Sequence, residues 1–422
     1  MPKRPIRLRD HEQSFSPQMM SGEIFEAAGG LGLLGGLLGV VFDAGALLGA
    51  DHLLRSRRDT WMPDGSLPPV LMIKPVRGLD LGARDNYLSF IQQDYPSFRI
   101  IFTVDAPSDP ATTLIRDLAA EFPDKVELVV VSERTGQNRK MNKVAAVARD
   151  LLSSSPYILI NDSDIRVPPS YLREIMKPML ADPKVGAVTC MQRGVPEGGF
   201  SSRLAALMLN SETIPQGLVA YAMLPLNYLY GPTMLFSSEA LRAIGGFDAM
   251  KDYLADDYHL GRLIHEKGYR IVLSSLMVDA RIHDQSLSGV VAHEVRWART
   301  YSSLRPVGYS LSLFSRPFVF CLLAVVLGVV GEKPAIAFGA VGFYVLHLAL
   351  SSYLLREIVE QPLSHRDALL WFSREILSLY AYFMSFGRSI LWRGYRYRIL
   401  PGGALRSLDS QSTTAHAPTD AR

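Results

Sequence analysis

Between residues 27 and 50 the chain carries one charged side chain, Asp43. An apolar run of that length can cross a bilayer as a helix, and in hydrocarbon a single segment must satisfy its own backbone hydrogen bonds. Its glycines recur as Gly32/Gly36, Gly35/Gly39 and Gly45/Gly49, the spacing that lets membrane helices approach closely. A cleavable signal peptide is the competing reading, but the run is too long and no clear cleavage site follows. Two further apolar runs, residues 318–331 and 335–355, are split by Glu332, Lys333 and Pro334. They read as a helical hairpin through the membrane. A fourth run, residues 368–386, carries Arg374 and Glu375 near its middle. That pair fits either a buried ion pair or a helix lying in the membrane interface. The middle of the chain is therefore tied to a membrane at both ends.

Hydrophobic residues make up 48% of the chain and are concentrated in those runs. Charge is nearly balanced at +3, so there is no nucleic-acid footprint and no nucleic-acid partner is expected. Cys190 and Cys321 lie in dissimilar contexts without metal-ligand spacing and read as buried thiols in a reducing compartment. Arg55, Arg57 and Arg58 follow the first run, and the stretch WRGYRYR at residues 392–398 follows the last. Basic residues beside interfacial Trp and Tyr predict that both ends face the cytoplasm. That requires an even number of crossings between them, which makes the fourth run interfacial or re-entrant. The expected organisation is a basic, polar segment to residue 26, a membrane helix over 27–50, an α/β domain over 61–305, and membrane or interfacial helices over 318–386. A basic aromatic juxtamembrane segment and a disordered tail then fill residues 387–422.

The middle alternates strand-like and helix-like patterns, the mark of a parallel α/β sheet. Strands are predicted over 70–75, 98–105, 126–132 and 157–160, with helices over 83–93 and 111–122. Their ends bring Lys74 and Arg77, then Asp105 and Asp109, then Asp162 and Asp164 to one edge, where open α/β sheets bind ligands. A basic loop over 136–143, with Lys140 and Lys143, lies beside them. Asp162-Ser163-Asp164 suits a hard divalent cation, Mg²⁺ or Mn²⁺, that keeps waters and completes its shell from substrate phosphates. The same residues would also serve as a polar turn capping a helix. Acids, a divalent metal and lysines together fit a nucleotide diphosphate, whereas any one lysine alone reads as solvated loop charge.

Further on, Asp256 and Asp257 open a helix whose Leu260, Leu263 and Ile264 face inward and which Gly268 stops. A carboxylate in a first helical turn is stabilising in its own right, which is the plain reading of Asp256. His293, Arg296 and Trp297 stand at i, i+3 and i+4 and share one helix face. Arg296 can take diphosphate oxygens in a forked geometry, and Trp297 can wall a ligand pocket. A core Trp beneath a surface Arg is the other reading. The Leu-, Met-, Ala- and Tyr-rich segment 200–230, interrupted by Pro215 and Pro225, reads as interfacial helices or as buried core.

Several landmarks recur in order: KPVRGLD at 74–80, QDYP at 93–96, SDPA at 108–111, the loop at 138–143, DSDIRV at 162–167, ADDY at 255–258 and HEVRW at 293–297. With these the chain resembles the ceramide glucosyltransferases, glycosyltransferase family 21, and the related hopanoid-modifying glycosyltransferases of bacteria. The resemblance covers residues 70–305 and extends weakly to the WRGYRYR tail. It implies a GT-A nucleotide-diphospho-sugar transferase fold, a UDP-sugar donor, and inverting transfer onto the hydroxyl of a membrane lipid. By the same resemblance Asp109 holds the nucleotide, Asp162 the metal and diphosphate, and Asp257 is the catalytic base. Arg296 and Trp297 end the Gln/Arg-x-x-Arg-Trp signature, whose first position here is His293. Ceramide with UDP-glucose is the favoured substrate pair, and a hopanoid polyol receiving a sugar such as N-acetylglucosamine is the alternative. The implied setting is a multi-pass protein of a bacterial inner membrane with its catalytic domain in the cytoplasm. A processive polysaccharide synthase would use the same carboxylates, but the spans are few for a polymer channel and the signature's glutamine is missing. A non-catalytic binder would typically have lost the base, and all three acids are present.

Overall fold

The computed structural model describes residues 17–56, 67–363, 367–392 and 394–409. Arg57, Arg58, Arg393, the basic segment over 1–16 and the tail over 410–422 lie outside the described residues. In chain order the elements begin with a long helix α1 (Pro17–Ser56), β1 (Val70–Pro75), α2 (Ala83–Ile91), β2 (Phe98–Val104), α3 (Ala111–Glu121), β3 (Val126–Val130), α4 (Arg139–Leu151) and β4 (Tyr157–Ile160). Next come β5 (Ile165–Arg166), α5 (Tyr171–Ala181), β6 (Val185–Glu197), α6 (Phe200–Met208), α7 (Ile214–Met223), β7 (Met234–Ser237) and α8 (Ser238–Ala243). The middle closes with α9 (Asp256–Glu266), β8 (Arg270–His283) and α10 (Leu287–Leu304). Helices α11 (Pro306–Leu311), α12 (Pro317–Val330), α13 (Pro334–Glu357) and α14 (Ala368–Met384) precede three short strands, β9 (Ser389–Trp392), β10 (Tyr395–Ile399) and β11 (Leu405–Ser407). The chain divides into two units, one holding the chain up to Asp43 with Phe314–Ser351, the other Ala44–Leu313 with Ser352–Arg422.

The first unit is helical. Glu23–Arg55 and Pro334–Glu357 are long and apolar enough to cross a membrane, and a bent pair, Pro306–Ser315 with Pro317–Val330, would make a third span. The glycine spacing of α1 is a packing face: a Cβ on Gly35 would fall 2.3 Å from the Phe320 ring, and one on Gly36 2.7 Å from the Cys321 sulfur. Asp43, the lone charge of the run, is buried with its Oδ2 2.6 Å from Nδ1 of buried His347. A charge in hydrocarbon is tolerated with such a partner. At the other end of this unit Lys333 pairs with Glu26 at 2.6 Å.

The second unit is built on an eight-stranded sheet ordered β3-β2-β1-β4-β7-β6-β8-β5. β1 runs parallel to β2 and β4, β2 to β3, and β6 to β8. β7 is antiparallel to both neighbours and β5 to β8. Their apolar runs build a common core with the inner faces of the helices, including Met72, Phe102 and Leu159 with Tyr87, Phe90 and Tyr171. The order reverses between β1 and β4, so the carboxyl ends of β2, β1 and β4 lie side by side at a topological switch point. The convergence expected from the strand ends is present, in a mixed, mostly parallel α/β sheet of the kind the GT-A expectation describes.

Pro215 does not break the 200–230 segment. A π-helical turn, Leu209–Thr213, joins α6 to α7. Proline has no N–H to give the carbonyl four residues back, and Ser211 O accepts instead from Arg374 Nη2 at 3.2 Å, while Arg374 Nε donates to Ser211 Oγ at 3.0 Å. Arg374 also pairs with Glu375 at 3.1 Å and with Glu212 at 3.6 Å, and both α14 residues are 2% exposed. The charged pair of the fourth apolar run is thus a buried network supporting that turn. The outer face of α14 leaves Leu369, Phe372, Ile376, Tyr380 and Phe383 exposed.

The WRGYRYR stretch has secondary structure that its composition did not announce. Trp392 ends β9 and residues 395–398 lie in β10 of a three-stranded antiparallel sheet, β11-β10-β9, with a cluster of Leu254, Ile390, Tyr397, Ile399 and Leu405 beneath it. Alternation in β10 buries Tyr397 and Ile399 and exposes Arg396 and Arg398. Period-two alternation outweighs the aromatic and basic composition here.

Candidate active site

Asp162 leaves β4 at the switch point and Asp257 stands in the first turn of α9. Lys140, in the first turn of α4, reaches between Asp162 and Asp256, the residue before Asp257: its Nζ lies 2.9 Å from Asp162 Oδ1 and 3.4 Å from Asp256 Oδ2. A Cβ on Gly231 would meet Asp257 Oδ2 at 3.4 Å, Asp162 Oδ2 at 3.6 Å and Lys140 Nζ at 3.7 Å. Three charged groups therefore surround one glycine. The Gly231 amide donates to Asp257 Oδ2 at 3.1 Å, and the Tyr258 amide to Oδ1 at 2.8 Å. The glycine stretch is held in turn by Asn161, whose amide donates to Pro232 O at 3.0 Å and to the Tyr171 hydroxyl at 2.8 Å.

Electrostatics separates these groups. Burial, and then the charge of Asp256, push the Asp257 carboxyl up to about 7, against the pull of Lys140. Burial works against the Lys140 ammonium, but Asp162 and Asp256 more than reverse it, so its pKa is raised and the amine stays charged. A carboxyl near neutrality beside a fixed cation is poised to take a proton.

The other expected ligands occupy different ground. Lys74 is 1% exposed, and its amine donates to the Asp162 carbonyl at 2.8 Å and lies 3.5 Å from the Phe90 ring centroid. Burial brings its pKa down to about 7, partly offset by Asp162 and Asp164. It braces the end of β4 through that carbonyl. Asp109 accepts the Gly78 amide at 3.1 Å and the Ala111 amide at 3.0 Å, so its carboxylate fastens the KPVRGLD loop to the start of α3. Lys143 is buried, donating to Val76 O at 2.7 Å and lying 3.6 Å from Asp105.

Arg296 and Trp297 sit on α10, and Ser286 caps that helix by accepting the Gly289 amide at 3.1 Å. Trp297 packs against the sheet core, with ring centroids 4.7 Å from His293 and 6.4 Å from Tyr301. Burial and then the Asp257 charge raise the pKa of the Tyr301 hydroxyl, and Arg296 opposes them. Tyr301 and the hydroxyl-linked pair Tyr228 and Tyr230, 3.2 Å apart, are site neighbours that the motifs did not single out. The Gly231-Pro232 step after the tyrosines was the available signal.

Among the described residues, no three or more His, Cys, Asp or Glu side chains gather as a set that could hold a metal ion. Asp162 and Asp164 are hard oxygen donors at one exposed edge, and Lys140 already takes one oxygen of Asp162. This donor set suits a divalent ion that draws its other ligands from water and a diphosphate.

The family model described as Glycosyl transferase family 21 matches residues 39–405. Ceramide glucosyltransferase 3 of Caenorhabditis elegans is 23% identical over 353 residues, covering 81% of this chain and 75% of its own length. Ceramide glucosyltransferase 1 of the same organism is 22% identical over 362 residues, covering 82% and 74%. Among solved structures, the mannosyltransferase PcManGT from Pyrobaculum calidifontis, in complex with GDP-Man and Mn²⁺, has a TM-score of 0.43 at 19% identity, over 83% of this chain and 98% of that one. TarS of S. aureus in complex with UDP-GlcNAc has a TM-score of 0.36 at 14% identity, over 80% and 98%.

Proposed function

On the premise that this chain belongs to glycosyltransferase family 21, we propose that it is a membrane-bound inverting enzyme that moves glucose from UDP-glucose onto the hydroxyl of ceramide. The observation that carries the reading is Asp257, a carboxyl brought to about 7 by burial and held beside Lys140 and Asp162. An inverting transfer needs one base to take the acceptor proton while the hydroxyl attacks the anomeric carbon opposite the diphosphate. Asp257 has the pKa for that task, and its amide partners Gly231 and Tyr258 fix its orientation. Lys140 meets the charge of the leaving diphosphate, and Arg296 and Trp297 line the sugar and diphosphate on α10. A divalent ion, Mg²⁺ or Mn²⁺, held by Asp162 and Asp164 would add to that neutralisation. Lys74 and Asp109 act beneath the ligand, the first on the Asp162 backbone and the second on the KPVRGLD loop that faces the nucleotide.

The acceptor assignment rests on the relatives named ceramide glucosyltransferases and on an anchor that keeps the enzyme at a lipid surface. The crossings proposed are α1 and the α12–α13 hairpin, with the N-terminus and the Lys333 turn outside and the catalytic unit in the cytoplasm. The ion pair of Lys333 with Glu26 supports one shared side for those two points. Purified enzyme given UDP-glucose with ceramide or with a hopanoid polyol tests the substrates. Glucosylated ceramide, lost on chelation and restored by Mg²⁺ or Mn²⁺, is expected. Product with the hopanoid alone would reassign the acceptor, and product with neither would reject the donor as well.

A further inference from the structure

The C-terminal sheet is fastened to the segment that leads into α9. Leu405 N donates to Asp252 O at 2.7 Å, Leu254 N donates to Gly403 O at 3.1 Å, and Tyr253 bridges Ala404. The same segment holds the basic loop before α4. Asn138 N donates to Lys251 O at 2.6 Å, the Asn138 side-chain amide to Tyr253 O at 2.8 Å, and Gln137 N to Asp252 Oδ1 at 2.9 Å. Tail, loop and the start of α9 thus share one frame. On it, β10 lays the Tyr395 ring against two guanidinium groups, with Arg139 4.1 Å and Arg77 5.2 Å from the ring centroid. Arg77 comes from KPVRGLD after β1, and Arg139 opens α4 one residue before Lys140.

Two like charges on one ring repel, and a ring face offsets only part of the cost. Asp105 answers Arg139 at 3.6 Å and is shared with Lys143, also at 3.6 Å. Burial, followed by the charge of Arg134, draws the Arg139 pKa down, and Arg77 adds to it. Arg139 keeps 15% of its side chain open, and Arg77 and Tyr395 are also partly exposed. The cluster is therefore rich in positive charge, partly desolvated and reachable. Forked guanidinium groups match phosphate oxygens.

We propose that the C-terminal sheet is a wall of the nucleotide diphosphate site, in which Tyr395 positions Arg77 and Arg139 to take the phosphate oxygens of the donor. This rests on the family 21 reading above. The C-terminal strands are then part of donor recognition, and the basic aromatic stretch serves the substrate, not the membrane surface.

The test uses the full-length purified protein and UDP, with inorganic pyrophosphate as a second probe. Tyr395→Phe keeps the ring and is expected to bind both probes within about twofold of the wild type. Tyr395→Ala, with an unchanged melting temperature, is expected to weaken both by about tenfold and to raise the KM for the donor while leaving the KM for the acceptor unmoved. Should Tyr395→Ala fail to fold, Arg139→Gln reads the same contact and is expected to lose UDP to a similar degree. Wild-type affinity for UDP in folded Tyr395→Ala or Arg139→Gln would overturn this inference alone. A wild type that binds neither UDP nor GDP would overturn the family-based donor reading, and this inference with it.

Discussion

In the proposed role of base, Asp257 would give the enzyme a pH dependence whose two signs differ. A base must be ionised, so turnover is expected to rise through about pH 7 and level off above it, following the raised carboxyl. Stability runs the other way. The folded carboxyl holds its proton more tightly than an unfolded one near 3.9, so its contribution is fully present below about pH 4 and lost as pH rises through about 7. Lys140 opposes the rise of the Asp257 pKa, and Lys140→Gln is therefore expected to move the rising limb of the rate profile to higher pH, by on the order of one unit. An unmoved limb in a folded Lys140→Gln enzyme would separate the two residues. At this scale Asp257, Asp162 and Lys140 were legible because their motifs mark the ends of patterned elements. The burial of Lys74 was not, since nothing in KPVRGLD tells that its amine turns under β4 to Phe90 and the Asp162 carbonyl.

The position of Asp257 depends on how closely α9 meets the tyrosine segment. A Cβ on Gly261 would lie 2.4 Å from the Tyr228 Cα and 2.7 Å from its carbonyl carbon, backbone atoms that cannot swing aside. Gly261→Ala is expected to cost about 1–3 kcal/mol in overpacking, read as a lower melting temperature, and to lower turnover by shifting Asp257 from Gly231. An unchanged melting temperature would mean that α9 has room to move. Strands β1, β2 and β4 and helices α2, α3 and α9 were readable from period and turn residues alone. The order of the strands was not, because pairing is decided by packing across the sheet. The role of Arg374 was equally hidden: its partner Ser211 lies 163 residues away, and Pro215 reads as a break until a remote guanidinium takes over the missing donor. The strands of the tail were hidden for a related reason, since YRYRI alternates as a strand and also has the composition of a membrane surface.

For the whole molecule, the chain is a glycosyltransferase of family 21 with helices long and apolar enough to cross a membrane at both ends of its catalytic unit. The proposed topology predicts that cysteines at Lys333 and Arg398 react with impermeant reagents from opposite sides of sealed vesicles, and reaction from one side would refute it. The outward Leu369, Phe372, Ile376, Tyr380 and Phe383 of α14 suit a helix lying along a leaflet in that arrangement. The central claim is that Asp257 takes the acceptor proton. Its most direct test is transfer of labelled glucose from UDP-glucose to ceramide by folded Asp257→Asn enzyme that still binds UDP. The account predicts a loss of about 10²–10⁴-fold against the wild type, and transfer at the wild-type rate would contradict it.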